Sequence, residues 1–175
     1  ILRSGEYDWV LSEITQGCVW RPRSNEHTSV AKHYRRQCDP GFNLQHIEDR
    51  ASVIFWRKAM AERLGDIRPL LKVATEHFCQ FYQREFEEHG EISGRRYFGE
   101  CSVGSVNVRG VVEEVDHDYV LVEIHWSANE FIALRGGTRK NQGGWRRYKS
   151  LFLLMRCNGV KTNTQRCIDS AHCPN

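Results

Sequence analysis

Apolar positions in the first half of the chain recur at three- and four-residue intervals, and in the second half they alternate. Leu44, Ile47, Ala51, Ile54, Phe55 and Lys58 repeat at helical spacing, and Ala59, Met60 and Leu64 extend the same face. Asn43 stands where a side-chain cap belongs and Gly65 where a left-handed terminator belongs, so the pattern predicts a helix over residues 44–64. Asp66 reads as the cap of a second helix, with Pro69 in its tolerated first turn. Its buried stripe would be Ile67, Leu70, Leu71, Ala74, Phe78 and Phe81, prolonged over residues 82–88 to end before Gly90.

After Gly94 the period falls to two. Val106 and Val108, followed by residues 111–115, predict one strand bent at Gly110. Val120, Val122, Ile124 and Trp126 alternate with Tyr119, Leu121, Glu123 and His125, the pattern of a strand with one buried face. Asp116-His117-Asp118 between these runs reads as a hairpin turn. The run from Tyr148 to Arg156 is apolar through its middle and predicts a central strand, with Gly136, Gly137, Gly143 and Gly144 punctuating the connection before it. Helices first and strands afterwards argue for an α+β fold with helices on an antiparallel sheet.

The first forty residues read as a wrapping segment. Tyr7, Val10, Leu11 and Ile14 have helical spacing, which predicts a short amphipathic helix over residues 7–15, and Val30 with Tyr34 allows another turn. In Asp39-Pro40-Gly41 the proline fixes φ and the glycine accepts a positive one, so a turn is expected. The resulting division is residues 1–38 as the wrapping segment, 39–169 as the main domain and 170–175 as the start of something further. No internal repeat is visible.

Composition narrows the class. A chain of 175 residues fits one domain and buries roughly two-thirds of its unfolded surface. Hydrophobic residues at 40% and charged ones at 27% exclude a disordered chain. The net charge of +3 is too small by itself to point to nucleic acid. The strongest apolar run, Leu151-Phe152-Leu153-Leu154-Met155, falls far short of the roughly 18 residues that cross a bilayer. The chain opens on Ile1 rather than Met, so a longer natural N-terminus is compatible with it, an upstream targeting or membrane segment included. Seven cysteines, an odd number with no C-x-x-C pair, read as reduced and partly buried thiols, which favours a cytoplasmic setting.

Several short motifs share an order with a known family. Asp39-Pro40-Gly41-Phe42 leads into the long helix and is followed by Asp66-Ile67-Arg68-Pro69-Leu70. Tyr119-Val120-Leu121-Val122 comes later, and the ending is Phe152-Leu153-Leu154-Met155-Arg156-Cys157-Asn158-Gly159-Val160-Lys161-Thr162. Over residues 39–175 the chain resembles the bacterial branch of the domain named after subunit 44 of the mitochondrial inner-membrane translocase. The resemblance implies a cone-shaped fold like the nuclear-transport-factor-two-like and cystatin-like groups, in which helices pack on a curved antiparallel sheet around an apolar cavity. It also implies a binding role, since the mitochondrial relative tethers import chaperones and touches acidic lipids. Residues 1–38 do not clearly reproduce that relative's lipid-contacting helices, so chaperone tethering is not part of the expectation. Many bacterial members continue into a zinc ribbon, which Ser170-Ala171-His172-Cys173-Pro174-Asn175 resembles at its start. Zinc needs four ligands, so no cofactor is expected within this chain, and Cys173 becomes a ligand only in a longer one.

Two candidate binding regions follow. The first is the space between helix and sheet, lined on this reading by Ile54, Phe55, Phe78, Phe81, Val122, Ile124, Trp126, Leu151 and Leu153. These residues equally describe a filled core; an open pocket there would suit a lipid tail, a hydrophobic peptide or a partner protein. The second is the connection from Arg135 to Lys149, whose Arg135, Arg139, Lys140, Arg146, Arg147 and Lys149 are accompanied by four glycines, Trp145 and no acidic residue. Guanidinium groups suit phosphate contacts, so an acidic membrane surface is a candidate partner and a solvated hairpin the plain alternative. Glu123 and His125 share a strand face opposite Ile124 and Trp126 and are expected to meet solvent or another helix. No nucleophile, metal-protease or phosphate-loop pattern occurs.

The expectation is a non-enzymatic binding or scaffolding domain, cytoplasmic and peripheral to the inner face of a membrane or holding a hydrophobic ligand. The alternatives are a small-molecule enzyme of the cavity type and, through the basic loop, a nucleic-acid adaptor. Nucleic acid is the less expected partner, because Trp145 and Tyr148 are few aromatics for base stacking.

Overall fold

The caps written into the sequence set the length of the first helix. The structure, a computed structural model, describes residues 9–15, 34, 38–90, 96–133, 139–141 and 143–162. Helix α1 runs Leu44–Leu64, with Asn43 extended ahead of it and accepting from the Gln45 amide at 2.9 Å. Gly65 closes it at φ 65° and ψ 39°, and the amides of Gly65 and Asp66 both donate to the Ala61 carbonyl. Its buried stripe is Ile47, Ala51, Ile54, Phe55 and Ala61. The Asp39–Phe42 turn closes with the Phe42 amide on the Asp39 carbonyl at 3.0 Å, and Gly41 does not use a positive φ.

Helix α2 runs Glu76–Gly90 and does not begin at Asp66. The intervening residues form consecutive turns, in which the Leu70 amide bonds the Ile67 carbonyl and the Val73 amide the Leu70 carbonyl. Asp66 caps only the first of these, through the Arg68 amide at 2.9 Å, while Thr75 Oγ1 accepts from the Phe78 amide at the true start. Turns closed at a three-residue spacing bury Leu70, Val73 and Ala74 and so imitate helical periodicity.

Five antiparallel strands make one sheet: β1 Val10–Thr15, β2 Arg96–Glu113, β3 His117–Ala133, β4 Arg139–Asn141 and β5 Arg146–Cys157. Their order is β1-β5-β3-β2, with β4 also pairing β3. The α+β arrangement with helices on an antiparallel sheet is therefore the fold. Residues 10–15, expected to be helical, are instead an edge strand. Leu11 exchanges bonds with Val73 and Thr75 on one side, both at 2.8 Å, and pairs Leu154 of β5 on the other. Alternation of buried Trp9 and Leu11 around half-buried Val10 is the strand signal that the helical reading passed over. The β2–β3 turn lies at residues 114–116, with the Glu114 amide on the His117 carbonyl, so His117 and Asp118 already belong to β3.

Strand β2 begins at Arg96, well before Val106, and slips register against β3 between Gly99 and Ser102, Val103 and Ser105, and Val108 and Gly110. Each slip is a bulge that bends the strand, the last at the expected Gly110 bend. At the first, Glu100 takes φ 55°, and a Cβ on Gly99 would come within 2.7 Å of the Phe131 ring. One face of β3 carries Val120, Val122, Ile124, Trp126 and Ala128, all buried in the core together with Phe152 and Leu154 of β5. No described helix is long and apolar enough to cross a membrane.

At the end of the sheet near β1 sits a buried cation. Arg156, whose side chain is 0% exposed, bonds Asp39 at 2.8 Å and the Tyr34 hydroxyl at 2.7 Å, and lies 4.4 Å over the Trp9 ring. Tyr34 donates in turn to Asp118, and Thr162 donates from both amide and hydroxyl to Asp39. Burial pushes the Asp39 carboxyl up, but Thr162 and Arg156 together hold it below the usual carboxylate range. Removing one member of a buried pair leaves the other charge uncompensated. Arg156→Met is accordingly expected to cost about 3–5 kcal/mol in urea unfolding; a loss below about 1 kcal/mol would show that the network does not hold the sheet end.

Candidate functional site

Six of the nine expected pocket residues meet in the core between helix and sheet. Ile54, Val122 and Ile124 are fully buried, and Phe55, Phe78 and Trp126 nearly so. Three do not join them. Phe81 is 53% exposed, because the later start of α2 gives the buried stripe to Phe78, Cys79, Tyr82 and Phe86. Leu151 and Leu153 pair Glu123 and Leu121 of β3, which places them on the sheet face away from the helices. The run at 151–155 is apolar at every position, so only the register decides which residues turn inward, and they are Phe152 and Leu154.

Where α1 meets the sheet, Phe55, Phe98, Cys101, Trp126, Ser150 and Phe152 line a pocket whose polar side is Lys58 and Glu62. Aromatic rings fill most of it: Trp126 lies 5.2 Å from Phe55, 4.9 Å from Phe98 and 4.6 Å from Tyr148 between centroids. The Trp126 indole donates to Ser150 Oγ at 3.0 Å. About 10 Å³ of free space remains, room for roughly one water molecule. An acyl chain enters only if these rings move.

The polar side of the pocket was in view at Lys58, the one charge on the predicted apolar stripe. Lys58 pairs with Glu62 four residues on, Tyr82 donates to Glu62 at 3.3 Å, and the ammonium lies 5.6 Å from the Tyr82 ring centre. Burial works to lower the Lys58 pKa, yet the Glu62 carboxylate and Tyr82 hold it above its ordinary value. Burial, helped by Glu62, pushes the Cys101 thiol up to about 11. A protonated amine and a neutral thiol are poor nucleophiles.

The basic connection takes a defined form. Strands β4 and β5 lie in line beside β3, with Asn141 opposite Phe131 and Arg146 opposite Ala128. Between these pairs β3 has only Asn129 and Glu130, so the connection is longer than the stretch of β3 beside it and forms a bulge. Trp145 on this bulge is 56% exposed, and a Cβ on Gly144 would meet nothing within 4 Å. Lys140, Arg146, Arg147 and Lys149 are exposed around it. Arg139 opposes Ala133 in β4, while Arg135 lies outside the described residues, as does Cys173. Among the described residues no group of three or more His, Cys, Asp or Glu side chains could hold a metal ion.

Glu123, expected to meet solvent or another helix, is only 8% exposed and meets side chains of its own sheet. Its Oε1 accepts from Arg109 and contacts His125 Nε2 at 2.8 Å, and its Oε2 lies 3.4 Å from Lys149 Nζ. Arg109 stands at the third β2 bulge, a displacement that alternation does not reveal. Compared with protein families, curated proteins and solved structures, the chain matches none. The functional reading therefore rests on its own geometry.

Burial by itself raises the Glu123 pKa, but hydrogen bonds from Arg109 and His125 and the nearby Lys149 charge outweigh it and hold the carboxyl at about 2, down from 4.5. A depressed carboxyl stabilises the fold above its unfolded pKa, and that contribution is lost as pH falls through the folded one. Glu123→Gln should thus flatten the acid limb of stability between pH 4.5 and about 2. Urea midpoints measured across that window check this, and parallel curves for the two proteins would count against the ring.

Proposed function

We propose that this chain is a non-enzymatic binding module that docks on acidic membrane surfaces through the basic bulge between β4 and β5. The observation that carries the reading is Trp145, exposed on a bulge among exposed Lys140, Arg146, Arg147 and Lys149 with no acidic residue between 139 and 149. A tryptophan suits the headgroup layer, where an apolar ring body and a polar N–H are both accommodated. Each basic residue near an anionic surface contributes about 1 kcal/mol, so these four give about 4 kcal/mol, or roughly millimolar affinity. Binding of that kind is reversible and salt-sensitive, and stable attachment takes a second contribution.

On this reading the protein works in the cytoplasm at the inner face of the membrane, as a domain of the translocase-subunit-44-like type. A hydrophobic ligand or partner between helix and sheet ranks second, because the free space at Trp126 admits about one water molecule.

Co-sedimentation with acidic and with neutral vesicles at low and high salt tests the proposal. Binding should be confined to acidic vesicles and weaken with salt. Reversing both Arg146 and Arg147 to Glu changes the local charge by four, and should weaken binding by about a thousandfold. Equal binding to neutral vesicles, or binding unaffected by the double reversal, would overturn the proposal. So would a preference for single-stranded nucleic acid over vesicles.

A further inference from the structure

The face of the sheet turned away from the helices carries its own cationic constellation. Cross-strand register sets His125 opposite Lys149 and Glu123 opposite both Leu151 of β5 and Asn107 of β2. The β2 bulge adds Arg109, whose guanidinium reaches Glu123 from the third strand. One carboxylate thus meets two permanent cations and an imidazole drawn from three strands. Arg109 is half-buried and His125 and Lys149 are exposed, so all three remain open to solvent.

This ring is continuous with the basic bulge. Arg147 lies two residues from Lys149 on β5 and faces the same side, opposite Ser127. Lys140 and Arg146 instead oppose Ile132 and Ala128 and belong to the helix side of the sheet. Beyond the ring the outer face turns apolar, with half-buried Leu151, Leu153 and Met155. A cationic zone bordered by an apolar one is the chemistry of the headgroup boundary. Nucleic acid would call for several exposed aromatic platforms, and here one half-buried ring, Tyr119, stands among Leu151, Leu153 and Met155.

We infer that the membrane-docking surface extends from the bulge across the outer sheet face, where Arg109, His125 and Lys149 contact anionic headgroups and Glu123 positions them while subtracting one unit from their charge. The inference rests on the membrane reading above and adds to it an orientation, the sheet tilted so that its outer face and the β4–β5 tip, with Lys140 and Arg146, both meet the surface. Glu123 is a positioning residue with a cost: it holds Arg109, Lys149 and the His125 ring together and weakens the field that the cations present to an anion.

The two roles are separable in one experiment on the full chain. Vesicles of phosphatidylcholine with and without phosphatidylglycerol are titrated with the unaltered protein and with Arg109→Gln and Glu123→Gln, each confirmed folded by its circular dichroism and unfolding midpoint. One charge is worth roughly a factor of five near such a surface. Arg109→Gln, remote in sequence from the bulge, should bind about fivefold more weakly. Glu123→Gln should bind about fivefold more tightly although it unfolds more easily; a merely structural glutamate would lower both. If the unaltered protein binds and the Arg146 and Arg147 reversal abolishes binding, but these two variants leave affinity unchanged, the outer face is not used and the bulge acts alone. Weaker binding by Glu123→Gln with its fold intact overturns the inference as well. If the unaltered chain binds no acidic vesicle, both readings fail.

Discussion

The desolvation of one guanidinium constrains the architecture around it. An arginine sealed from water is tolerated only with close anionic partners and good hydrogen-bond geometry, and Arg156 obtains these from segments far apart in the chain. Asp39 comes from the turn ahead of α1, Tyr34 from before it, Asp118 from the start of β3 and Thr162 from the tail beyond β5. Trp9 covers the cation just ahead of β1. The turn at Gly159, with φ 84°, brings the tail back toward Asp39. The short motifs on either side of the helices and at the end of the sheet thus meet in one polar cluster.

Strand β3 serves two purposes at once. Its inner side chains build the core with α1, and its outer ones carry the Glu123 ring. Because alternation is rigid, neither set can shift without the other. The irregularities are left to the neighbours: β2 absorbs three bulges, and the surplus beside Asn129 and Glu130 falls between β4 and β5. A regular central strand with irregular flanks fixes the side chains it carries more firmly than a loop would.

Local signals made part of this legible in the sequence. Asn43 and Gly65 mark α1 to the residue, Pro40 marks the turn, and the alternation from Val120 to Trp126 marks the core face of β3. Other features needed information that lies across the sheet. Six residues of β1 are too few to separate a period of two from a helical one. The apolar run at 151–155 has no polar member to show which side faces out, so Leu151 and Leu153 were assignable only through their β3 partners. Bulges at Glu100, Gly104 and Arg109 break the alternation that would have announced β2 earlier. Glu123 read as facing solvent or another helix because a carboxylate on the polar side of a strand usually does; that Arg109, Lys149 and His125 enclose it depends on register and a bulge. The basic residues from 139 to 149 were legible as a cluster, but their division between the two sheet faces was not.

The surplus residues between β4 and β5 uncouple the tip from the pairing of the sheet. Asn141 and Arg146 stay bonded to fixed partners on β3 whatever passes between them, and the space beside Gly144 is open. Evolution can therefore lengthen, shorten or recharge this tip without re-registering a strand or disturbing the core. A scaffold so arranged leaves the tip free of the register constraint that holds its interior sequence still.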